Sequence, residues 1–93
     1  MFEIFYLQSV IDRDIKRLPT PWKSIIQRTI DRKLTTRPDF YGRPLRQGLR
    51  GFRKLRIGDY RVIFSMDKRR IVIVAIRHRS KVYAEVEKMI DGM

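Results

Sequence analysis

Residues Phe52 to Phe64, reading Phe-Arg-Lys-Leu-Arg-Ile-Gly-Asp-Tyr-Arg-Val-Ile-Phe, constrain the fold of this chain more than any other stretch. Two runs of β-type residues flank Gly58-Asp59, a pair that reads as the two-residue loop of a hairpin. Counting outward from that loop sets Ile57 opposite Tyr60, Arg56 opposite Arg61, Leu55 opposite Val62 and Lys54 opposite Ile63. Alternation then gathers Leu55, Ile57, Tyr60, Val62 and Phe64 on one face, and Lys54, Arg56 and Arg61 on the other. Like charges directly opposite each other lower the stability of a strand pair. Setting Arg56 against Arg61 therefore implies a surface where positive charge is wanted, the plainer alternative being a solvated outer face.

The segments around the hairpin complete an α+β pattern. Phe2 to Leu7 alternates and reads as a short N-terminal strand. Ser9 is placed to cap a helix that turns Val10, Ile11, Ile15 and Leu18 inward and stops at Pro19. A second helix over residues 20–35 follows, with Thr20 as its cap, Pro21 in its first turn and Trp22, Ile25, Ile26, Ile30 and Leu34 at helical spacing. Trp22 reads as core or helix-interface packing. Thr36 to Gly51 is loop-like, punctuated by Pro38, Gly42, Pro44, Gly48 and Gly51 and populated by Phe40, Tyr41 and Leu45. After the hairpin, Asp67-Lys68-Arg69-Arg70 turns the chain into a strand over Ile71 to Arg77, apolar on both faces and so expected inside the sheet. Ser80 to Ile90 reads as a last helix facing inward through Val82, Val86 and Ile90. The order β-α-α-β-β-β-α gives one small domain over residues 1–93, a helical hairpin on a largely antiparallel sheet with a C-terminal helix.

Charge narrows the function classes. Lys and Arg number 22 against 10 Asp and Glu, a formal net of +12. Residues 1–40 carry 8 basic and 5 acidic groups, a net of +3, whereas residues 41–93 carry 14 and 5, a net of +9. A field this uneven points to a polyanionic partner. The absence of cysteine rules out disulfides and thiolate metal sites, and a lone histidine, His78, with scattered carboxylates argues against a catalytic metal held by the protein. No cationic leader opens the chain, and its longest apolar run, Ile71 to Ile76, is far too short to span a bilayer. A cytoplasmic protein without cofactor is the expectation.

The register between the hairpin and the following strand decides which cations meet. With residues 67–70 as a four-residue loop, Met66 pairs with Ile71 and Arg61 with Ile76, so Arg77 points away from Arg61. A shift by one residue, pairing Asp67 with Ile71, sets Arg77 opposite Arg61. We favour the shifted pairing, with a bulge if needed, because it removes Arg77 from the apolar face. Clustered guanidinium groups with a lysine and a tyrosine suit one reaction in particular. RNA carries its own nucleophile, the 2′-hydroxyl, and its cleavage needs a phosphate held in line, stabilisation of added negative charge and proton transfer. Guanidinium forks match phosphate oxygens, and nearby cations favour the deprotonated form of a lysine or tyrosine. Plain nucleic-acid binding fits a basic face equally well.

Leu49-Arg50-Gly51, the run Lys54 to Phe64 around Gly-Asp-Tyr-Arg, and His78-Arg79 with Val82-Tyr83 resemble the RelE/ParE superfamily of toxins from toxin–antitoxin modules. The turn is common to both branches, while the ending His-Arg-x-x-Val-Tyr is similar to the RelE branch, whose members cut messenger RNA, usually in the ribosomal A site, without metal. The resemblance implies that Arg61 and Arg77 bind the scissile phosphate, that Arg56 supports the charge, and that Lys54 and Tyr83 serve proton transfer and base stacking. Arg43, Arg46, Arg50 and Arg53, with His78 and Arg79, would contact RNA. Phe52 stands where the family can carry the first of two alternating lysines, which leaves the general base unassigned. An acidic, RelB-like antitoxin is implied as partner of a single toxin copy, besides the ribosome and mRNA. The ParE branch supplies the alternative, a non-catalytic inhibitor of DNA gyrase.

Overall fold

The computed structural model describes residues 1–46 and 49–91; Gly48 and the Ile90 side chain lie outside that description. The hairpin forms as alternation requires. Strands β3 (Phe52–Ile57) and β4 (Tyr60–Asp67) pair from Ile57↔Tyr60 through Arg56↔Arg61 to Phe52↔Ser65. Gly58 holds a left-handed φ of 57°, and a Cβ there would stand 2.5 Å from the Trp22 ring. Backbone and space both demand glycine at that corner.

The next pairing combines the two registers weighed from the sequence. β5 (Arg70–His78) turns back through Lys68-Arg69, with Lys68 at a φ of 56°, so Asp67 pairs with Arg70 and Met66 with Ile71. That part follows the unshifted register, and the proposed Asp67–Ile71 pair does not form. Between Phe64↔Ile73 and Ile63↔Ala75 the register slips, leaving Val74 as the extra residue of a bulge. Beyond it Arg61 pairs with Arg77 and Tyr60 with His78. The bulge also explains why β5 is apolar without a break from Ile71 to Ile76. Ile71, Ile73 and Ile76 join the core under the helices, while Val74 and Ala75 both join the core under the C-terminal helix.

The sheet runs β1-β5-β4-β3-β2. β1 (Glu3–Tyr6) lies parallel to β5, covering only Arg70 to Ile73, and the other pairs are antiparallel. A two-residue edge strand, β2 (Arg43–Pro44), and a one-turn helix, α3 (Pro38–Tyr41), organise what the sequence reads as loop. Proline in β2 blunts that edge against further pairing. α2 (Thr20–Lys33) starts after Pro19, so Thr20 is its first residue instead of its cap; Ile26, Ile30 and Leu34 are buried, whereas Ile25 is exposed. α4 (Val82–Asp91) covers the opposite face through Val82 and Val86.

The first helix departs most from expectation. Ser9 is already helical and its side chain caps nothing. Val10–Asp14 forms a π-helical turn, closed by the Ile15 N–H on the Val10 carbonyl, before α1 (Ile15–Arg17). The wider turn leaves Ile11 exposed and carries Asp14 into the interior. Gly58→Ala tests the tightest joint of this fold. It is expected to lower stability by about 2 kcal/mol in chemical denaturation, through the left-handed φ and the clash with Trp22; a loss under about 0.5 kcal/mol contradicts that packing.

Candidate nucleic-acid cleavage site

The bulge lines up three arginines across three strands: Arg56 on β3, Arg61 on β4 and Arg77 on β5. Each is handled differently. Arg77 is drawn to Asp14, with Nε 3.4 Å from Oδ2, and to Glu85 of α4, with Nη1 3.2 Å from Oε2. Asp14 has a structural reason to be there. β1 stops opposite Ile73, so the Ile76 N–H has no strand partner on that side and donates to Asp14 Oδ2 at 2.8 Å. A carboxylate buried for that bond needs a cation, and Arg77 is the adjacent residue.

Arg61, only 8% exposed, donates from Nη1 to the carbonyls of Gly58 and Tyr60 at 2.8 and 2.9 Å. These bonds fix the guanidinium without neutralising it, and among the described residues no carboxylate pairs with it. Arg56 is exposed and opposite Arg61. Beside them the Lys54 ammonium donates to the Tyr83 hydroxyl at 3.2 Å and lies 5.5 Å from the ring centroid. Tyr83 comes from the first turn of α4, so sheet and helix meet in this contact.

These side chains line a cleft of about 650 Å³, walled by Tyr41, Arg43, Lys54, Arg56, Arg61, His78, Arg79, Ser80 and Tyr83. Five of the nine are Arg or Lys, and among the described residues no carboxylate lines it. His78 is exposed at its end, with its Nδ1 3.2 Å from the Ser80 N–H and 2.9 Å from the Ser80 hydroxyl. The His78 ring stands edge-on to Tyr60, which packs on Trp22 in turn, so the corner from Gly58 to His78 is braced by aromatics. Among the described residues no group of three or more His, Asp or Glu is arranged to hold a metal, and no helix is long and apolar enough to cross a membrane. Away from the cleft, burial raises the pKa of the Tyr6 phenol above its ordinary 10.0, and Asp31 raises it further.

Seven residues singled out from the sequence thus converge: Lys54, Arg56, Arg61, Tyr83, Arg43, His78 and Arg79. Four do not. Arg77 has the expected register, but its guanidinium turns to Asp14 and Glu85 and lines a neighbouring hollow with Arg17 and Lys81. Arg53 donates to the Gly42 carbonyl at 3.0 Å and so ties α3 to the sheet. Arg46 and Arg50 are exposed but outside the cleft wall. Sequence reading missed Tyr41, Ser80 and Asp14. The signal for Tyr41 was an aromatic pair within an arginine-rich loop; nothing in the sequence marked Asp14.

A cation-lined cleft at the junction of a bulged hairpin and a C-terminal helix can be compared with known proteins. The family model for the ParE toxin of the type II toxin–antitoxin system, parDE, matches residues 10–83. The chain belongs to the RelE/ParE toxin family. Toxin RelE of Mycobacterium tuberculosis is 36% identical over 73 residues, covering 76% of this chain and 75% of that protein. In structure, a chain of the RelBE2 toxin–antitoxin complex from the same organism superposes with a TM-score of 0.78 at 26% identity, over 85% of this chain and 92% of that one. A chain of the RelB–RelE complex from Methanococcus jannaschii gives 0.66 at 17% identity, over 85% and 94%, a likeness of fold. This RelE/ParE toxin also makes a test of its own arginine row possible. Asp14→Ala is expected to cost about 3 kcal/mol in urea denaturation, because Ile76 loses its acceptor and Arg77 its buried counter-charge. Asp14→Asn, which still accepts from Ile76, is expected to cost less; equal losses would contradict the charge argument.

Proposed function

We propose that this toxin is an endoribonuclease that cleaves messenger RNA, on the ribosome, by attack of a 2′-hydroxyl on the adjacent phosphorus. The observation that carries the reading is the Lys54–Tyr83 hydrogen bond of 3.2 Å beside Arg61 and Arg56, in a cleft lined by no described carboxylate. Protons need to move at two atoms and negative charge grows at a third. The 2′-oxygen bonds to phosphorus as a base takes its proton, the bond from phosphorus to the 5′-oxygen breaks, and an acid protonates that leaving oxygen. The products are a 2′,3′-cyclic phosphate and a 5′-hydroxyl. Lys54 and Tyr83, sharing one hydrogen bond, form the proton-transfer pair, one taking the 2′-hydroxyl proton and the other protonating the leaving 5′-oxygen. Arg61, pre-set by two carbonyls, faces the non-bridging oxygens, and Arg56 adds charge from the opposite strand.

In this reading Arg77 acts through structure, holding Asp14 and the end of β5. Arg43 and Arg79 hold the strand by phosphate contacts, and binding weakens as salt rises. The partner follows from charge and kinship. An acidic antitoxin of the RelB kind would cover part of a surface with a net +12 and, by binding only the folded toxin, stabilise it. Action on ribosome-bound mRNA would take place in the cytoplasm.

A second reading, inhibition of DNA gyrase without catalysis, has one observation in its favour, the matching family model being that of ParE toxins. Purified toxin in a translating extract separates the two. Primer extension is expected to show new mRNA ends in phase with codons, with Lys54→Ala and Tyr83→Phe each slowing their appearance by about 100-fold at unchanged melting temperature. Gyrase-dependent DNA breaks without new mRNA ends would favour the second reading.

A further inference from the structure

α3 presents two aromatic rings that do no work in either core. Phe40 is 64% exposed and Tyr41 is 37% exposed, and neither belongs to the clusters on the two sides of the sheet. Rings left in water beside a functional cleft call for a reason. Their mounting is rigid. The Tyr41 and Gly42 N–H groups donate to the carbonyls of Arg37 and Pro38 at 3.0 and 2.9 Å, and Arg53 holds the Gly42 carbonyl. Gly42 itself lies so tightly on the Phe64 ring that no side chain fits there. Cations accompany both rings, with the Arg37 guanidinium 4.7 Å from the Phe40 centroid and the Lys33 ammonium 5.0 Å from that of Tyr41. Phe40 stands edge-on to Tyr41, centroids 5.1 Å apart, and so limits how the Tyr41 ring can turn.

We propose that Tyr41 is a base-stacking platform for single-stranded RNA at the β2 rim of the cleft, positioning the strand whose phosphate meets Arg61. The inference rests on the reading that RNA occupies the cleft, and adds a positioning residue to it. Three properties favour this. Tyr41 and Arg43 line the same cleft as Lys54 and Tyr83, so the platform is continuous with the proposed chemistry. Aromatic faces interleaved with Lys and Arg are what unpaired bases and their phosphates require together. A platform fixed before binding loses little entropy when a base settles on it. With Tyr83 also in the wall, the strand would have an aromatic contact from α3 and another from α4.

The test uses the full chain and a cleavage-resistant 2′-O-methyl oligonucleotide carrying 2-aminopurine, with binding followed by anisotropy and stacking by quenching of the fluorescent base. The wild-type protein is expected to bind and quench. Tyr41→Ala is expected to lose the quenching and bind about 10-fold more weakly, and Tyr41→Phe to retain both. Quenching by Tyr41→Ala equal to wild type, or no binding of the oligonucleotide at all, would overturn the proposal. Unchanged quenching with weakened binding of an acidic protein partner would overturn it too, in favour of a protein-docking face. Cleavage of unmodified mRNA is scored separately. Stacking without cleavage would leave the platform standing and remove the nuclease, whereas normal cleavage with unaltered quenching in Tyr41→Ala would do the reverse.

Discussion

Three arginines face one another across three strands, and much of this molecule is the means of holding them there. Arg56, Arg61 and Arg77 form a row that Coulomb repulsion alone would disperse. The fold answers with a gradient. At β5, Arg77 meets two carboxylates, Asp14 and Glu85. In the middle Arg61 meets only carbonyl dipoles, which orient it and leave its charge in place. At β3, Arg56 is left to solvent. Positive charge therefore rises from the neutralised end of the row toward the cleft, where a polyanion would complete the compensation.

Each device serving that gradient has a second task. The bulge at Val74 brings Arg77 into the row and also lets β5 feed cores on both sides of the sheet. The π turn sends Asp14 inward, where the same carboxylate caps the β5 edge left bare by the short β1. α4 contributes Glu85 to one end of the row and Tyr83 to the Lys54 contact. Displacing α4 would thus alter counter-charge and proposed proton transfer together. Removing Arg77 would strand a buried carboxylate, so loss of activity on that substitution would reflect the scaffold as much as the chemistry.

Legibility followed the range of the interactions. The β3–β4 register was readable because a two-residue turn and strict alternation leave one solution, and Lys54, Arg56, Arg61 and Tyr83 could be named from it together with the family resemblance. The β4–β5 register was half readable. Removing Arg77 from the apolar face required a shift, yet no residue marks the bulge; Val74 is one more valine in an apolar run, and the two-residue Lys68-Arg69 turn keeps the unshifted count as far as Phe64↔Ile73. Asp14 was hidden because a helical acid between Arg13 and Ile15 reads as exposed until the π turn rotates it inward. Arg53 and Arg77 looked like the other arginines, and only three-dimensional neighbours, the Gly42 carbonyl and Asp14, set them apart. Tyr41 could not be assigned to the cleft because a loop gives no periodicity from which a facing direction can be read.

In the proposed reaction the cleft cleaves RNA through the substrate's own 2′-hydroxyl, with Arg61 and Arg56 stabilising the charge on the phosphate. Once a cleavage position is mapped, one substitution in the substrate addresses it most directly: a single 2′-deoxynucleotide on the 5′ side of the scissile phosphate, in an otherwise unchanged message. Cleavage at that position is expected to disappear, while the unsubstituted message yields a 2′,3′-cyclic phosphate and a 5′-hydroxyl. Cleavage of the substituted message at an undiminished rate would contradict this mechanism.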